Sequence, residues 1–308
     1  MGDPTVSVVM SVYNGADTLP ETLRSVLEQE GCDFEFVVVD DGSTDGSGDM
    51  LDRWSARDSR LRILHQENRG LTRALIRGCA EARGEFIARQ DAGDRSLPGR
   101  LAVQHRYLSE HPDTVLVSCG TRFIGPKGEA LYEVTRVGEE LSEGLARLDV
   151  NRITGMPHHG ATMFRRDAYR AAGGYRQTFR AAQDLDLWLR LAELGGCWGL
   201  SPILYEARLE PNSISMSRRD EQFRAAALGI ECALRRRSGQ DESALLAAGY
   251  TQGGLGPASQ ARQRKSDFYY FVGSCLRKRS PEAARRYFDL ALKENPLFLK
   301  AMLRRYLG

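Results

Sequence analysis

The chain has 308 residues, 42% hydrophobic and 27% charged, the balance of an ordinary folded globular protein with ample length to bury a core. No apolar run approaches the ~20 residues of a helical membrane span, which sets aside an integral helical membrane protein. The net charge of +2 hides an asymmetry: residues 217–308 hold 18 basic and 9 acidic side chains, and the rest of the chain holds 25 and 32.

An acidic body with a basic tail predicts two modules, 1–216 and 217–308, the second either a solvated Arg-rich surface or a face for something anionic. Met1-Gly2-Asp3-Pro4 carries neither a basic segment nor an apolar signal core. The six cysteines, Cys32, Cys79, Cys119, Cys197, Cys232 and Cys275, form no CxxC and read as reduced core residues. A cytoplasmic location is expected.

Val6-Ser7-Val8-Val9-Met10-Ser11-Val12-Tyr13 is β-branched and short, a buried strand that ends at Asn14-Gly15. Thr18-Leu19-Pro20-Glu21 reads as a capping box opening a helix. Phe34-Glu35-Phe36-Val37-Val38-Val39 is a second strand, running into the turn-rich Asp40-Asp41-Gly42-Ser43-Thr44-Asp45. A helix through Met50, Leu51 and Trp54 follows, then a strand over Leu61-Arg62-Ile63-Leu64, then Glu67-Asn68-Arg69-Gly70 and a helix over 71–82. The run Glu85-Phe86-Ile87-Ala88-Arg89 reads as a buried strand leading into Gln90-Asp91-Ala92-Gly93-Asp94 and a helix near Leu97-Pro98.

Strands alternating with helices predict a doubly wound, mostly parallel sheet, with its polar loops on one edge. Tyr13-Asn14, Asp40-Asp41 and the 91–94 turn should therefore converge. Two carboxylates three apart at that edge suit a hard cation with its diphosphate, or else a helix cap. GxGxxG and GxxxxGK[ST] are both missing, so a bound diphosphate would need a metal or basic side chains.

Farther on come a strand over Val115-Leu116-Val117-Ser118, a turn at 125–128, a helix over 141–148, and Pro157-His158-His159-Gly160 ahead of Thr162-Met163-Phe164-Arg165. Leu185, Trp188, Leu189 and Ala192 recur at helical spacing behind Asp184. Ile203-Leu204-Tyr205-Glu206-Ala207-Arg208 is a late strand. Helices are predicted from Arg218, interrupted at 252–257. Residues 265–298 form a helix pair with spacings like a tetratricopeptide repeat.

In this order the motifs resemble those of a family 2 glycosyltransferase of GT-A fold, over about residues 5–215. They are Ser7 to Asn14, Val39-Asp40-Asp41-Gly42-Ser43-Thr44-Asp45, Glu67-Asn68-Arg69-Gly70, Ala82-Arg83-Gly84-Glu85 through Asp94, and Gln183-Asp184 with Leu187-Trp188-Leu189-Arg190. The resemblance implies inverting transfer of a sugar from a nucleotide-diphosphate sugar, with UDP as the expected nucleotide, to an acceptor hydroxyl in surface polysaccharide or lipid-linked glycan assembly. Asp184 would be the general base. Ser11, Val12, Tyr13, Asp40, Asp41, Asn68, Arg69, Arg73 and Asp91 would bind the donor nucleotide. His159 and Trp188 would lie on the acceptor side, although Trp188 also reads as core. No nucleic acid is expected, whereas self-association or docking of the basic tail at the inner membrane face is.

The sequence departs from the family pattern at three places. Gly93 stands where the metal-binding Asp belongs, Gln183 where Glu often precedes the base, and Leu209-Glu210 follows Arg208 where a His is common. Two arrangements follow: Mn2+ or Mg2+ held by Asp91 or Asp94 with Glu210, or a diphosphate stabilised by Arg69, Arg73 or Arg208. Adjacent histidines on a strand point to opposite faces, so at most one of His158 and His159 faces the loops, and a metal role there carries little weight. Two other readings remain: a decayed nucleotide-sugar-binding scaffold, motivated by Gly93, and a nucleotidyltransferase, which would want a Gly-rich basic first loop.

Overall fold

The structure is a computed structural model and describes residues 3–148, 156–211, 219–251 and 258–307. By their internal contacts these residues form two units interleaved in sequence: Met1–Thr121, Val134–Ala207 and Phe223–Tyr250 in the first, and Arg122–Glu133, Arg208–Gln222 and Thr251–Gly308 in the second.

The first unit is built on a sheet whose strand order is β3-β2-β1-β4-β8-β6-β9-β5, with β7 beside β6. Strands β1 (Val6–Val12), β2 (Phe34–Asp40), β3 (Leu61–His65) and β4 (Phe86–Arg89) are mutually parallel. Each reaches the next through a crossover helix, as parallel neighbours must: α1 (Leu19–Leu27), α2 (Ser47–Ser55) and α3 (Leu71–Ala80). The other half departs from the mostly parallel expectation. β8 (Thr162–Arg165) runs antiparallel to both β4 and β6 (Thr114–Ile124), and β5 (Arg95–Ser96) runs antiparallel to β9 (Gly196–Arg208).

Strand alternation sorts the core into two layers. Val9, Val37, Ile87 and Phe164 point to one face, with Leu75 of α3 and Trp188 of α7 (Gln183–Leu191). Val8, Phe36, Ala88 and Met163 point to the other, with Leu23 of α1 and Leu101 of α4 (Arg100–Glu110). Helices α5 (Glu140–Ala146) and α6 (Arg166–Ala171) complete the first layer through Leu141 and Ala168. α1 begins as expected with Pro20 in its first turn, but Thr18 makes no side-chain cap and Glu21 instead pairs with Arg95, so the capping box does not form.

The first stretch of the basic tail also packs into this unit. In α8 (Arg219–Arg237), Ile230 and Ala233 join the layer around Trp188, and Cys232 packs with Phe179. Arg236 pairs with Glu193 and Glu242, and Arg237 reaches the carbonyls of Leu145 and Ala146. After α9 (Ser243–Ala248), the expected break at 252–257 lies outside the described residues. In the second unit α10 (Ala258–Leu276) and α11 (Pro281–Glu294) pair around Phe268, Val272, Tyr287, Phe288 and Leu131 of β7 (Ala130–Val134), and α12 (Leu299–Leu307) follows. A side chain at Gly273 would sit 2.8 Å from the Phe288 ring, so the pair meets closely there. All six cysteines are free thiols, and no helix among the described residues is long and apolar enough to cross a membrane.

Candidate active site

Because β1, β2 and β4 are parallel, their outgoing loops follow one edge, and hydrogen bonds tie them together. Asn14, in the left-handed region at φ +53, accepts from the Thr44 amide, and Asp40 accepts from the Ser43 amide and bonds His65. Asp41 is buried. Its Oδ1 accepts from Gln66 and the Arg69 amide, and its Oδ2 accepts from the Gly70 amide at 2.8 Å. This carboxylate therefore shapes the 66–70 loop and keeps little acceptor capacity for a ligand. Val12 is buried, Ser11 half-buried, and Tyr13, Asn68, Arg69 and Arg73 are exposed.

The 91–94 turn closes with the Asp94 amide donating to the Asp91 carbonyl at 3.2 Å, while Gly93 sits at φ +96. That is the third position of a type II turn, which requires positive φ. Gln90 braces the turn from inside, donating to the carbonyls of Asp91 and Asp94 and accepting from Ser96 and the buried Arg100. Tyr205 of β9 accepts from the Asp91 amide, and a side chain on Gly160 would lie 1.9 Å from its hydroxyl, so only glycine fits there.

Ligand atoms of Asp91, Asp94 and His158 all lie within 4.8 Å of one another. The expected partner Glu210 belongs to the second unit and is not in this group, so His158 takes the third place. Burial pushes the His158 imidazole down from its ordinary value, which favours the neutral form that ligates cations. Burial is the largest influence and would raise the Asp91 carboxyl, but the surrounding positive groups, Arg89 first, together outweigh it and hold it below the ordinary range.

The histidines diverge, as adjacent residues should. His158 is extended, whereas His159 opens a single 3-10 turn (His159–Ala161) and is buried, its Nε2 bonded by Arg89 and by Tyr175. Trp188 is also buried, its ring 5.9 Å from His159. The two expected acceptor-side residues thus lie in the core, and Trp188 follows its core reading. Arg208 donates to the Pro126 carbonyl in the second unit.

Asp184 stands in the first turn of α7, behind Ala182, which holds the left-handed region at φ +51. Burial pushes its carboxyl up to about 6; Asp91 raises it further and Arg89 opposes. Asp186, next on the buried side, is paired with Arg190 and Arg176. Arg89, Arg100, Tyr175 and Tyr205 carry much of this architecture and were not among the expected site residues. The available signal was an arginine at an inward position of the strand ending at residue 89.

A half-parallel sheet with acidic turns at one edge, an antiparallel extension and an acidic helix start define the GT-A class of glycosyltransferases. Residues 7–173 match the model of Glycosyl transferase family 2, and the chain belongs to that family. It is 33% identical over 213 residues to Bacillus subtilis (strain 168) EpsE, named as a glycosyltransferase, covering 67% of this chain and 73% of EpsE. It is 29% identical over 224 residues to TuaG of the same organism, named as a teichuronic acid biosynthesis glycosyltransferase, covering 70% and 83%. Two solved structures share the fold. The mannosyltransferase PcManGT of Pyrobaculum calidifontis with GDP-Man and Mn2+ has TM-score 0.56 at 18% identity, covering 99% of this chain and 87% of that one. S. aureus TarS 1–349 with UDP-GlcNAc has TM-score 0.56 at 16% identity, covering 98% and 88%.

Proposed function

We propose that this glycosyltransferase moves a sugar, with inversion, from a nucleoside-diphosphate sugar to an acceptor hydroxyl in bacterial polysaccharide assembly. The observation that carries the reading is Asp184: a carboxyl pushed up to about 6, within the field of the Asp91 turn. A base poised near the working pH is suited to proton transfer, worth roughly 10²–10⁴-fold. Asp184 takes the proton of the acceptor hydroxyl as its oxygen bonds the anomeric carbon. The bond to the diphosphate breaks on the opposite side, and the diphosphate leaves with that electron pair. The loops carrying Ser11 to Tyr13, Asp40 and Asp41, with Asn68, Arg69 and Arg73, hold the nucleotide, and the relative TarS solved with UDP-GlcNAc favours UDP. TuaG's name favours polysaccharide.

Two carboxylates and one neutral imidazole fit a divalent cation. Asp91, Asp94 and His158 would hold Mn2+ or Mg2+, whose contribution when bound is positive charge against the diphosphate. Titrating UDP- and GDP-sugars calorimetrically, with and without Mn2+, tests both points. The expected result is binding of a UDP-sugar that Mn2+ strengthens; equal affinity in verified metal-free protein would remove the cation. The product anomer, read by NMR, should be inverted relative to the donor.

A further inference from the structure

Resting on that reaction, Arg89 carries one inference more. Alternation along β4 turns Ile87 and Arg89 toward the layer containing Trp188, so Arg89 enters the core fully buried, at 0% exposure. A buried cation persists only when it is paired and its donors are satisfied. Arg89 meets both conditions. Its Nη2 donates to Asp91 Oδ1 at 2.9 Å, its Nε to His159 Nε2 at 3.2 Å, and its Nη1 to the Val9 carbonyl in the middle of β1. A guanidinium is a rigid planar fork, so these bonds fix the direction of the Asp91 carboxylate relative to the His159 ring.

His159 carries the constraint onward. Its Nε2 accepts from Arg89, which places its proton on Nδ1, and Tyr175 Oη lies 2.6 Å from the same nitrogen. The His159 ring meets Trp188 edge-on at 80°, one turn along α7 from Asp184. Asp91, Arg89, His159, Trp188 and the Asp184 helix therefore form one packed chain from the donor turn to the base.

We propose that Arg89 is a positioning residue for glycosyl transfer: it fixes Asp91 at the donor turn and, through His159 and Trp188, the helix that carries Asp184. Donor and base are aligned by one buried cation, and misplacement by about 1 Å costs roughly 10²-fold in rate.

The test uses Arg89→Lys and His159→Gln in the full chain, with melting curves to verify folding. Arg89→Lys keeps the charge but replaces the planar fork with a single ammonium nitrogen that cannot reach the same three partners at once. Its kcat is expected to fall roughly 10²-fold with acceptor KM within about threefold, and His159→Gln is expected to lose roughly tenfold. Amide hydrogen exchange supplies a reading that needs no donor. In either variant, exchange should rise together at residues 91–94 and 183–188 and stay unchanged in β2 and β3. Folded variants with wild-type kcat, or with exchange raised at one segment alone, overturn the inference. Exchange raised together at both segments in the variants, with a wild type that transfers no sugar, would instead sink the proposed reaction and leave the coupling of the two segments through Arg89 intact.

Discussion

Asp184, the base in the proposed reaction, illustrates how a buried carboxyl is held at a cost in stability. Burial raises its pKa from 3.8 to about 6, so the charged form is disfavoured in the folded chain. The folded state is penalised as pH rises from 3.8 toward 6, and the penalty stays constant above that. Asp184→Asn should therefore melt higher than wild type at pH 7.5, by on the order of 2 kcal/mol, with the gap closing below pH ~4. Activity runs the other way. The base works deprotonated, so kcat/KM of the wild type should fall about tenfold per unit below pH ~6. Gly93 makes a second residue-scale case. Its φ of +96 is the left-handed turn position that favours glycine, and the cluster beside it is Asp91, Asp94 and His158. Gly93→Asp should lose ~1 kcal/mol in denaturant melts without tightening Mn2+ binding. Asp91, Asp94 and Asp184 were legible in the sequence as carboxylates at loop and helix starts. His158 was not, because its approach to Asp91 depends on how the chain enters β8.

At the scale of elements, β1 to β4 and their helices were readable because β-branched runs and amphipathic helices alternate cleanly. β5, with two residues, and β7, with five of which only Leu131 is buried, carry too little pattern to read. β8 looks like part of a loop motif until β4 and β6 pair on either side of it. Buried polar side chains resist reading for a related reason: their partners lie far along the chain. Glu35 in β2 is 3% exposed and bonds Ser7, Arg62 and Arg83. Burial opposes its ionisation, but the bonds from Ser7, the Arg83 amide and the two guanidinium groups win, and its pKa is lowered from 4.5. A lowered carboxyl contributes stability in full above pH ~4.5, lost as pH falls through the folded value. Glu35→Gln should thus destabilise by about 2 kcal/mol at pH 7, less below pH 4.5, because it gives up the charge-assisted bonds to Arg62 and Arg83, which stay partly hydrated.

For the whole molecule, the charge asymmetry pointed to two modules, yet the contacts interleave them, and Arg236 and Arg237 of α8 are engaged by Glu193, Glu242 and backbone carbonyls. The basic surface that remains lies in the second unit. On α12, Leu299, Met302 and Leu303 are exposed at i, i+3 and i+4, beside Leu297 and flanked by Lys300, Arg304 and Arg305. The central claim concerns Asp184 and is tested most directly by comparing donor binding and sugar transfer in wild type and Asp184→Asn. The account predicts donor affinity within about twofold and a rate reduced roughly 10²–10⁴-fold; an Asp184→Asn enzyme that transfers sugar at the wild-type rate would contradict it.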